Sequence, residues 1–295
     1  MPSRNLGLDL PSTSLRRQIG EEVAVPRLGD AHGFERPTDA TVRKPSVPRP
    51  RLSVIIPVYN EVQNLEKLVE RVLHVPIDKE LIIVDDGSTD GTADILRTRV
   101  AALAPNIQWS AHEKNQGKGA AIRTGLTMAS GEIVIIQDAD LEYSPSDFVP
   151  ILSKFDDPAV HVVYGSRFEN VNRYLFIWHW FCNRFLGAHY EIRYLHHFLG
   201  ILALNFLANT LYGAGVTDEA TCYKAFRREV LDRFELKCTG FEFCPEVTAK
   251  VRKAGYTITE VPITYHPRSK EQGKKLNWRH GFEAIFTLIK YRFVD

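Results

Sequence analysis

Short apolar runs rich in β-branched residues alternate along this chain with segments of helical periodicity. The runs LSVIIPVY (52–59), LIIVDD (81–86) and GEIVIIQDAD (131–140) are typical of buried strands, and a helical repeat of apolar residues follows the first run over 60–73. Because strands that alternate with helices build doubly wound sheets, the pattern predicts an α/β fold with a Rossmann-like, mainly parallel central sheet flanked by helices. Further strands are predicted at 107–111, 161–168, 217–226 and 257–265, and further helices at 87–99, 117–128, 174–212 and 243–254.

Chain length and charge limit the class of protein. The 295 residues carry 37 Lys and Arg against 36 Asp and Glu, a net charge of +1 that argues against a dedicated nucleic-acid-binding protein. Residues 1–50 contain seven of the sixteen prolines and no sustained apolar period, so we expect a disordered tail followed by one domain over 51–295. The N-terminus lacks the apolar core of a signal peptide, and the four cysteines form no CxxC pair, which favours reduced thiols in the cytoplasm.

Polar clusters follow three of the predicted strands, at 57–61, 85–92 and 138–142. Ligands of doubly wound sheets bind outside the carboxyl ends of the strands, so these clusters are expected to share one crevice. Asp138 and Asp140 flank a single small residue, and such a pair of carboxylates suits Mg²⁺ or another hard divalent cation. Glu142 is either a third ligand or a solvated acid. Asp85 and Asp86 either accept hydrogen bonds from a nucleoside or cap the turn that follows them.

Two sets of basic residues indicate an anionic ligand. Lys118 lies between two glycines at a predicted helix start, where backbone N–H groups and the helix dipole favour an anion. Neither a P-loop nor a dinucleotide-binding glycine pattern is present. The second set either binds phosphate groups or forms a solvated face. It comprises Arg167 and, within a predicted basic active-site loop at 266–281, Arg268, Lys270, Lys274 and Lys275.

The aromatic stretch 174–212 raises the question of membrane contact. It combines Trp178 and Trp180 with several Phe and Tyr and with internal charges, a composition that favours amphipathic helices lying in the bilayer interface. Packing in the protein core is one alternative, and a membrane span over 194–217 is another. The stretch 274–292 also combines basic residues with an apolar face. We expect peripheral attachment to the cytoplasmic face of a membrane, directly or through a membrane partner subunit.

Nine short motifs are spread between residues 52 and 292. They are IPVYNE (56–61), VDDGSTDGT (84–92), NQGKGAA (115–121), DADLEY (138–143), YGSRF (164–168), TDEATCYKAFRREVL (217–231), GFEFCPEVTAKVRKAGY (240–256), EVPITYHPR (260–268) and EQGKKLNWRHG (271–281). Together they resemble the motifs of the family 2 glycosyltransferases, which have the GT-A fold. Within that family the resemblance is closest to the dolichyl- or polyprenyl-phosphate sugar synthases, such as those that transfer mannose.

The resemblance implies roles for the matching residues. The residues implied in nucleotide-sugar binding are Pro57, Tyr59, Glu61, Val84, Asp86, Asp138, Ala139, Asp140, Arg268 and Lys274. Lys118 is added to this set because it lies at a predicted helix start. The set implied in catalysis is Asp140, Arg167, Arg268 and Lys274. The set implied in metal binding is Asp138, Asp140 and Glu142. The family often has Gln at the position of Glu142. Arg268 and Lys274 match an Arg and a Lys that the family carries on a loop over the active site.

The activity that the resemblance implies is an inverting sugar transfer in one displacement. Mg²⁺ or Mn²⁺ and the basic residues would stabilise the departing diphosphate. We expect the donor to be a GDP- or UDP-sugar and the acceptor a polyprenyl or dolichyl phosphate. Such a phosphate is largely ionised near pH 7, because its second pKa is about 6, and it needs no general base. The residues between Arg268 and Lys274 differ from those usual in mannosyl synthases, so the sugar stays open.

Three other functions remain as alternatives. Transfer to a hydroxyl of a glycan or small molecule would require a positioned carboxylate, for which Asp218, Glu242 and Glu246 are candidates, although each equally suits a cap or a salt bridge. A nucleotidyltransferase is disfavoured, because IPVYNE is neither glycine-rich nor basic. A non-catalytic nucleotide-sugar-binding subunit is disfavoured, because the paired aspartates and the basic residues are intact.

Overall fold

The computed structural model describes residues 49–168, 195–268 and 278–294. Within these ranges the chain forms seven strands and eight α-helices. In chain order they are β1 (Leu52–Val58), α1 (Leu65–His74), β2 (Lys79–Asp85), α2 (Thr92–Thr98), β3 (Ile107–Ala111), α3 (Lys118–Met128), β4 (Ile133–Ile136), α4 (Phe148–Lys154), β5 (Val162–Ser166), α5 (Leu195–Tyr212), β6 (Lys224–Arg227), α6 (Arg228–Leu231), α7 (Phe243–Lys253), β7 (Thr259–Pro262) and α8 (Trp278–Phe293).

The seven described strands form one sheet in the order β3-β2-β1-β4-β6-β5-β7. Strands β3, β2, β1 and β4 run parallel to one another, and β7 runs parallel to β5. Strand β6 runs antiparallel to both β4 and β5. The mainly parallel α/β sheet that the sequence predicts is therefore confirmed, with one reversed strand in its interior. Val58 at the end of β1 pairs with Asp85 at the end of β2, so these two strands finish at the same edge.

Burial explains why the central strands are continuous apolar runs. Every residue of β1, β2 and β4 is buried, as expected for parallel strands that are covered on both faces. Helix α3 approaches β1 closely because Gly125 has no side chain, and a Cβ there would lie 2.5 Å from Ile55 Cγ2. Helix α1 contributes one apolar stripe at helical spacing. Its buried residues are Leu65, Leu68, Val69 and Val72.

The first predicted helix is shorter than the apolar repeat suggests. It begins at Leu65 rather than at residue 60. Asn60 has a φ of 51°, outside the helical region, and its side chain accepts a hydrogen bond from the loop after β2. Tertiary contacts therefore turn the first residues of the repeat into a loop.

The strand predicted over 217–226 is confined to its C-terminal part, Lys224–Arg227. The backbone N–H of Thr217 donates to the carboxylate of Glu260, and that of Glu219 donates to Asn205 Oδ1. These N–H groups donate hydrogen bonds to side chains and are therefore not available to pair with a neighbouring strand.

Helices α5 and α8 pack against each other. Helix α5 is the described part of the stretch 174–212, and residues 174–194 lie outside the described residues. It buries Leu204 and Ala208 and exposes Leu199 and Phe206, so apolar side chains occupy both of its sides. Among the helices in the described ranges, none is long and apolar enough to cross a membrane. Residues 1–48 of the predicted tail and 269–277 of the predicted basic loop also lie outside the described ranges.

Candidate active site

Two loops at the carboxyl edge of the sheet, after β1 and after β2, are joined by hydrogen bonds. The backbone N–H of Asn60 donates to Ser88 Oγ (2.9 Å), and the N–H of Thr89 donates back to Asn60 Oδ1 (2.8 Å). The N–H of Glu61 donates to Thr92 Oγ1 at 3.0 Å. The structure thus brings the first two polar clusters together, and these contacts determine where Glu61 stands.

Asp86 faces the start of α3. Its carboxylate accepts hydrogen bonds from the backbone N–H groups of Gln116 (2.9 Å) and Gly117 (2.8 Å). His112 Nδ1 lies 2.7 Å from the same carboxylate, and His112 Nε2 lies 2.9 Å from Thr124 Oγ1. The charge of Asp86 therefore stands at the positive end of the helix dipole, where the sequence predicts an external anion. His112 belongs to none of the sequence motifs, and only the structure shows that it lies beside Asp86. Contact of Asp86 with a nucleoside stays a prediction.

Lys118, the first residue of α3, forms an ion pair with Asp138. Its Nζ lies 2.5 Å from Asp138 Oδ1 and 3.5 Å from Cys222 Sγ. Burial by itself would lower the pKa of Lys118, but the Asp138 carboxylate raises that pKa well above the ordinary value for lysine. Lys118 is therefore protonated, and its charge is directed at the first aspartate of the pair.

The two glycines beside Lys118 allow another backbone segment to approach. Gly117 has a φ of 97°, and a Cβ on it would lie 2.3 Å from the Thr239 carbonyl oxygen. A Cβ on Gly119 would lie 2.9 Å from the Gly240 carbonyl oxygen. The N–H of Ala120 donates to the same Thr239 oxygen at 3.0 Å. Backbone packing therefore accounts for both glycines, which place Lys118 between the sheet edge and the 239–240 turn.

Arg268 joins the third polar cluster to the first. Its Nη1 and Nη2 donate to the two carboxylate oxygens of Glu61, each at 3.2 Å. Its Nη2 also lies 3.5 Å from Asp140 Oδ2, and its Nε lies 3.9 Å from Glu142 Oε1. Burial would lower the pKa of Arg268, but the carboxylates of Glu61 and Asp140 raise it above the ordinary value. One guanidinium thus faces acids from two strand ends.

Asp140 is buried beside two other carboxylates. Burial, together with the carboxylates of Asp138 and Glu142, raises the pKa of Asp140 to about 7. The backbone N–H of Glu142 and the guanidinium of Arg268 oppose this rise in pKa. The surrounding protein therefore stabilises the ionised form of Asp140 incompletely, and a divalent cation beside it would favour that form.

Glu142 supports the segment that carries Arg268. Its Oε1 accepts the backbone N–H of Arg268 (2.8 Å), and its Oε2 accepts the hydroxyl of Tyr265 (2.7 Å). Its backbone carbonyl accepts the N–H of His266 at 2.8 Å. Both carboxylate oxygens are therefore engaged in holding this segment. A role for Glu142 as a metal ligand stays a prediction.

Arg167 follows β5 and is held by Asp218. Its Nε and Nη2 lie 2.6 and 2.7 Å from the two carboxylate oxygens of Asp218, which is fully buried. The guanidinium also lies over the ring of Tyr265, with Cζ 4.9 Å from the ring centroid. Since Tyr265 donates to Glu142, Arg167 is linked through one tyrosine to the acidic cluster.

The three carboxylates considered as general bases are all engaged within the protein. Asp218 forms the bidentate pair with Arg167. Glu242 accepts two backbone N–H groups of the turn that precedes it, at 2.7 and 2.9 Å. Glu246 forms an ion pair with Lys250 at 2.7 Å. Each of them therefore has a structural role in the described state.

The remaining predicted residues lie near this cluster or outside the described ranges. Pro57 and Val84 pair in the register of β1 and β2 and are buried. Tyr59 is half-buried at the start of the loop after β1, and Ala139 is buried between the two aspartates. The predicted basic residues that lie outside the described ranges are Lys270, Lys274 and Lys275.

The donor set fits a divalent cation that is held by two carboxylates. Within the part of the chain that the structure describes, no three His, Cys, Asp or Glu side chains are grouped so that they could hold a metal ion. Mg²⁺, however, commonly takes one or two carboxylates and completes its shell with water and substrate phosphate oxygens. Asp138 and Asp140 supply such a pair. Burial, together with the neighbouring carboxylates, raises the pKa of Asp140, and a cation would balance the negative charge there.

The sequence matches a protein family and several relatives. Residues 53–234 match the family described as "Glycosyl transferase family 2". Polyprenol monophosphomannose synthase of Mycolicibacterium smegmatis is 30% identical over 266 residues, which cover 85% of this chain and 89% of that protein. Dodecaprenyl-phosphate galacturonate synthase of Rhizobium johnstonii is 28% identical over 247 residues, which cover 82% of this chain and 66% of that protein.

Solved structures share the fold. Glucosyl-3-phosphoglycerate synthase from Mycobacterium tuberculosis, in complex with Mn²⁺, UDP and phosphoglyceric acid, has a TM-score of 0.58 and 19% sequence identity. The likeness covers 83% of this chain and 80% of that one. Another structure of that enzyme holds Mg²⁺ and UDP. At this level of identity the likeness concerns the fold alone, and it confirms the GT-A architecture that the sequence predicts.

Proposed function

Because this chain belongs to glycosyltransferase family 2 and is a glycosyltransferase, we propose that it moves a sugar from a nucleoside-diphosphate sugar to a polyprenyl phosphate, with inversion at the anomeric carbon. The observation that carries the proposal is the cluster at the carboxyl edge of the sheet. There, Arg268 faces Glu61 and Asp140, and Lys118 pairs with Asp138. Cations and carboxylates are thus placed side by side, as binding of a metal diphosphate requires.

Asp138 and Asp140 would hold Mg²⁺ or Mn²⁺ together with the donor diphosphate. The ion would supply electrostatic stabilisation of the departing nucleoside diphosphate. Lys118 holds the Asp138 side chain in place through their 2.5 Å contact. Asp140 must lose its proton to bind the ion, and its pKa of about 7 makes this feasible near neutral pH.

Arg268 would change partners when the donor binds. In the described state its guanidinium balances the charges of Glu61 and Asp140. Once a divalent cation balances Asp140, the guanidinium can donate to diphosphate oxygens, to which Arg binds in a bidentate manner. Glu142 limits this movement to the side chain, because it holds the backbone N–H of Arg268.

The state of the three candidate bases favours a phosphate acceptor. Asp218, Glu242 and Glu246 are each engaged in a salt bridge or in hydrogen bonds to the backbone. A hydroxyl acceptor would need one of them to receive a proton. A phosphate monoester is already ionised near pH 7 and needs only cations to position it. Arg167, Arg268 and the predicted Lys274 would supply that charge.

The relatives support the same acceptor. One makes a polyprenol monophosphomannose and another a dodecaprenyl-phosphate galacturonate, as their names state. The solved neighbour holds UDP with Mn²⁺, which supports a nucleotide donor and a divalent ion. Donors based on UDP and on GDP are both compatible with this site. An enzyme with a polyprenyl acceptor would work at a membrane surface, and we place it peripherally on the cytoplasmic face.

A donor screen tests the proposal. Purified protein would be incubated with UDP- and GDP-sugars, Mn²⁺ or Mg²⁺ and a short polyprenyl phosphate in detergent, with Asp140→Ala as the control. We expect lipid-linked sugar that depends on the metal and is lost in the variant. Release of nucleotide without lipid product would instead favour a hydroxyl acceptor or hydrolysis. Nucleotide binding without any turnover would favour a binding subunit.

A further inference from the structure

Two acidic residues stand at the end of β2, and the structure gives them different surroundings. Asp85 is occupied locally, because its carboxylate accepts hydrogen bonds from the backbone N–H (3.2 Å) and the hydroxyl (2.5 Å) of Ser88. Asp86 instead receives donors from the segment between β3 and α3, 30 and 31 positions further along the chain. Asp85 therefore caps the turn, and Asp86 is the member of the pair that is left for a nucleoside.

Three N–H groups already occupy the carboxylate of Asp86. Its Oδ1 accepts from the backbone N–H of Gln116 at 2.9 Å and from His112 Nδ1 at 2.7 Å, and its Oδ2 accepts from the N–H of Gly117 at 2.8 Å. A carboxylate has about four acceptor positions, two on each oxygen. Oδ1 is therefore filled, and no donor among the residues that the structure describes takes the second position on Oδ2.

His112 is held in the orientation that fills Oδ1 of Asp86. Because a charged carboxylate only accepts hydrogen bonds, Nδ1 of His112 carries the proton of this contact. The other ring nitrogen, Nε2, lies 2.9 Å from Thr124 Oγ1 on α3, so both ends of the ring are tied. The side chains of His112 and Asp86 are only 9% and 3% exposed, which leaves little room for water to compete for these contacts.

Nucleobases differ in the donors that they offer to such an acceptor. Uracil has one N–H group, at N3, between two carbonyl groups. Guanine has two adjacent N–H donors, at N1 and N2, and pairs best with a carboxylate whose two oxygens are both free. Cytosine has an amino group beside a ring nitrogen that is itself an acceptor and would face the carboxylate. A carboxylate with one open position on one oxygen therefore matches uracil.

We propose that Asp86 and His112 give the donor site a preference for UDP-sugars over GDP-sugars. Uracil N3–H donates to the open position on Asp86 Oδ2, and His112 determines the preference by filling Oδ1. Guanine leaves one of its N–H groups without a partner in a desolvated site, which lowers its affinity. The inference rests on the proposed function, because it takes the ligand to be a nucleoside-diphosphate sugar, but it does not depend on the acceptor.

Calorimetric titration of the full chain with nucleoside diphosphates and Mn²⁺ tests this proposal without an acceptor. We expect UDP to bind at least about tenfold more tightly than GDP or CDP, because one unpaired buried donor or acceptor costs about that factor. His112→Phe opens the second position on Oδ1, so the ratio of the GDP to the UDP dissociation constant should fall at least about threefold. His112→Asn offers an amide N–H in place of Nδ1 and should keep the wild-type ratio. His74→Phe is the matched control, because His74 is exposed at the end of α1.

The results separate the alternatives, and the wild-type comparison stands even where a variant does not fold. Equal affinities of the wild type for UDP and GDP, or tighter binding of GDP, would overturn the proposal and leave the proposed function intact. If His112→Phe weakened both nucleotides by the same factor, the unchanged ratio would overturn the part of His112 in the preference. Absence of binding by every nucleoside diphosphate would overturn the inference and contradict the proposed function as well.

Discussion

The guanidinium of Arg268 donates two hydrogen bonds to the carboxylate of Glu61, although the two residues are 207 positions apart in the chain. Glu61 follows β1 and Arg268 follows β7, and three strands separate these two in the sheet. The contact therefore spans the crevice at the carboxyl edge. The same guanidinium lies 3.5 Å from Asp140, so Arg268 contacts acids from two loops.

Removal of Arg268 should make the stability of the protein depend on divalent metal. Arg268→Ala removes the guanidinium that contacts Glu61 and Asp140, so we expect a loss of about 1–3 kcal/mol in the free energy of unfolding. Mn²⁺ should restore more stability to the variant than to the wild type, because it neutralises the same acids. Urea unfolding of both proteins with and without Mn²⁺ measures this difference. An equal effect of Mn²⁺ on both would count against the shared neutralisation.

Asp140→Asn should abolish metal-dependent transfer while leaving the fold intact. The amide is isosteric, but it cannot supply the charge that a divalent ion requires, and removal of such electrostatic stabilisation costs roughly 10²–10³ in kcat. Steady-state rates at increasing Mn²⁺ would measure the loss. Asp94→Asn is a matched control, because Asp94 is an exposed residue of α2 that pairs with Arg97. Metal-dependent transfer at the wild-type rate by Asp140→Asn would remove this residue from the proposed site.

The glycine before Lys118 should tolerate no side chain. Gly117→Ala forces a Cβ to within 2.3 Å of the Thr239 carbonyl oxygen at a φ of 97°, so we expect destabilisation of at least about 1 kcal/mol. Gly281→Ala in α8 is the control, since nothing lies within 4 Å of its Cβ position. That change should stabilise the helix by roughly 0.5–1 kcal/mol. Chemical denaturation of both variants compares the two effects, and similar stabilities would contradict the packing described for Gly117.

Titration of Glu219 should lower the free energy of unfolding as the pH rises above the ordinary pKa of a glutamate. It is fully buried, and burial raises its pKa from 4.5 to about 7, although Lys224 and Thr248 oppose the rise. Between these values the folded protein binds more protons than the unfolded chain, so its stability decreases as pH increases. Glu219→Gln removes this titration. The melting temperature of the variant relative to the wild type should therefore increase from pH 5 to pH 8, and a constant difference would contradict the assignment.

The sequence predicts the sheet well because the signal is local. Each central strand is buried over its whole length, so the sequence of each contains a continuous apolar run, such as the one at Leu81–Val84. The polar clusters after these strands could be placed at one edge from the rule of parallel topology alone. That rule places Glu61 and Asp140 at the same edge of the sheet, but it does not predict a cation between them, and Arg268 was assigned to the site only through the resemblance to a family.

Side-chain roles that depend on distant contacts could not be predicted. Glu142 supports the segment of Arg268 by accepting hydrogen bonds from the Arg268 backbone N–H and from the hydroxyl of Tyr265, which is 123 positions away in the chain. Asp86 is engaged by His112 and by the start of α3, and no motif marks that histidine. The spacing of apolar residues in α8 does not tell which side of the helix is buried. The structure shows that the side with Tyr291 and Leu288 faces the protein.

The chemical nature of the acceptor, phosphate or hydroxyl, separates the proposed reaction from its main alternative. The most direct measurement compares transfer to a polyprenyl phosphate with transfer to the unphosphorylated polyprenol of the same length, using the best donor and Mn²⁺ in detergent. Because no described candidate base is free of internal partners, we predict that the phosphate accepts sugar and that the alcohol is at least about 10²-fold poorer. Equal transfer to the alcohol, or transfer to the alcohol alone, would show that the enzyme uses a hydroxyl acceptor.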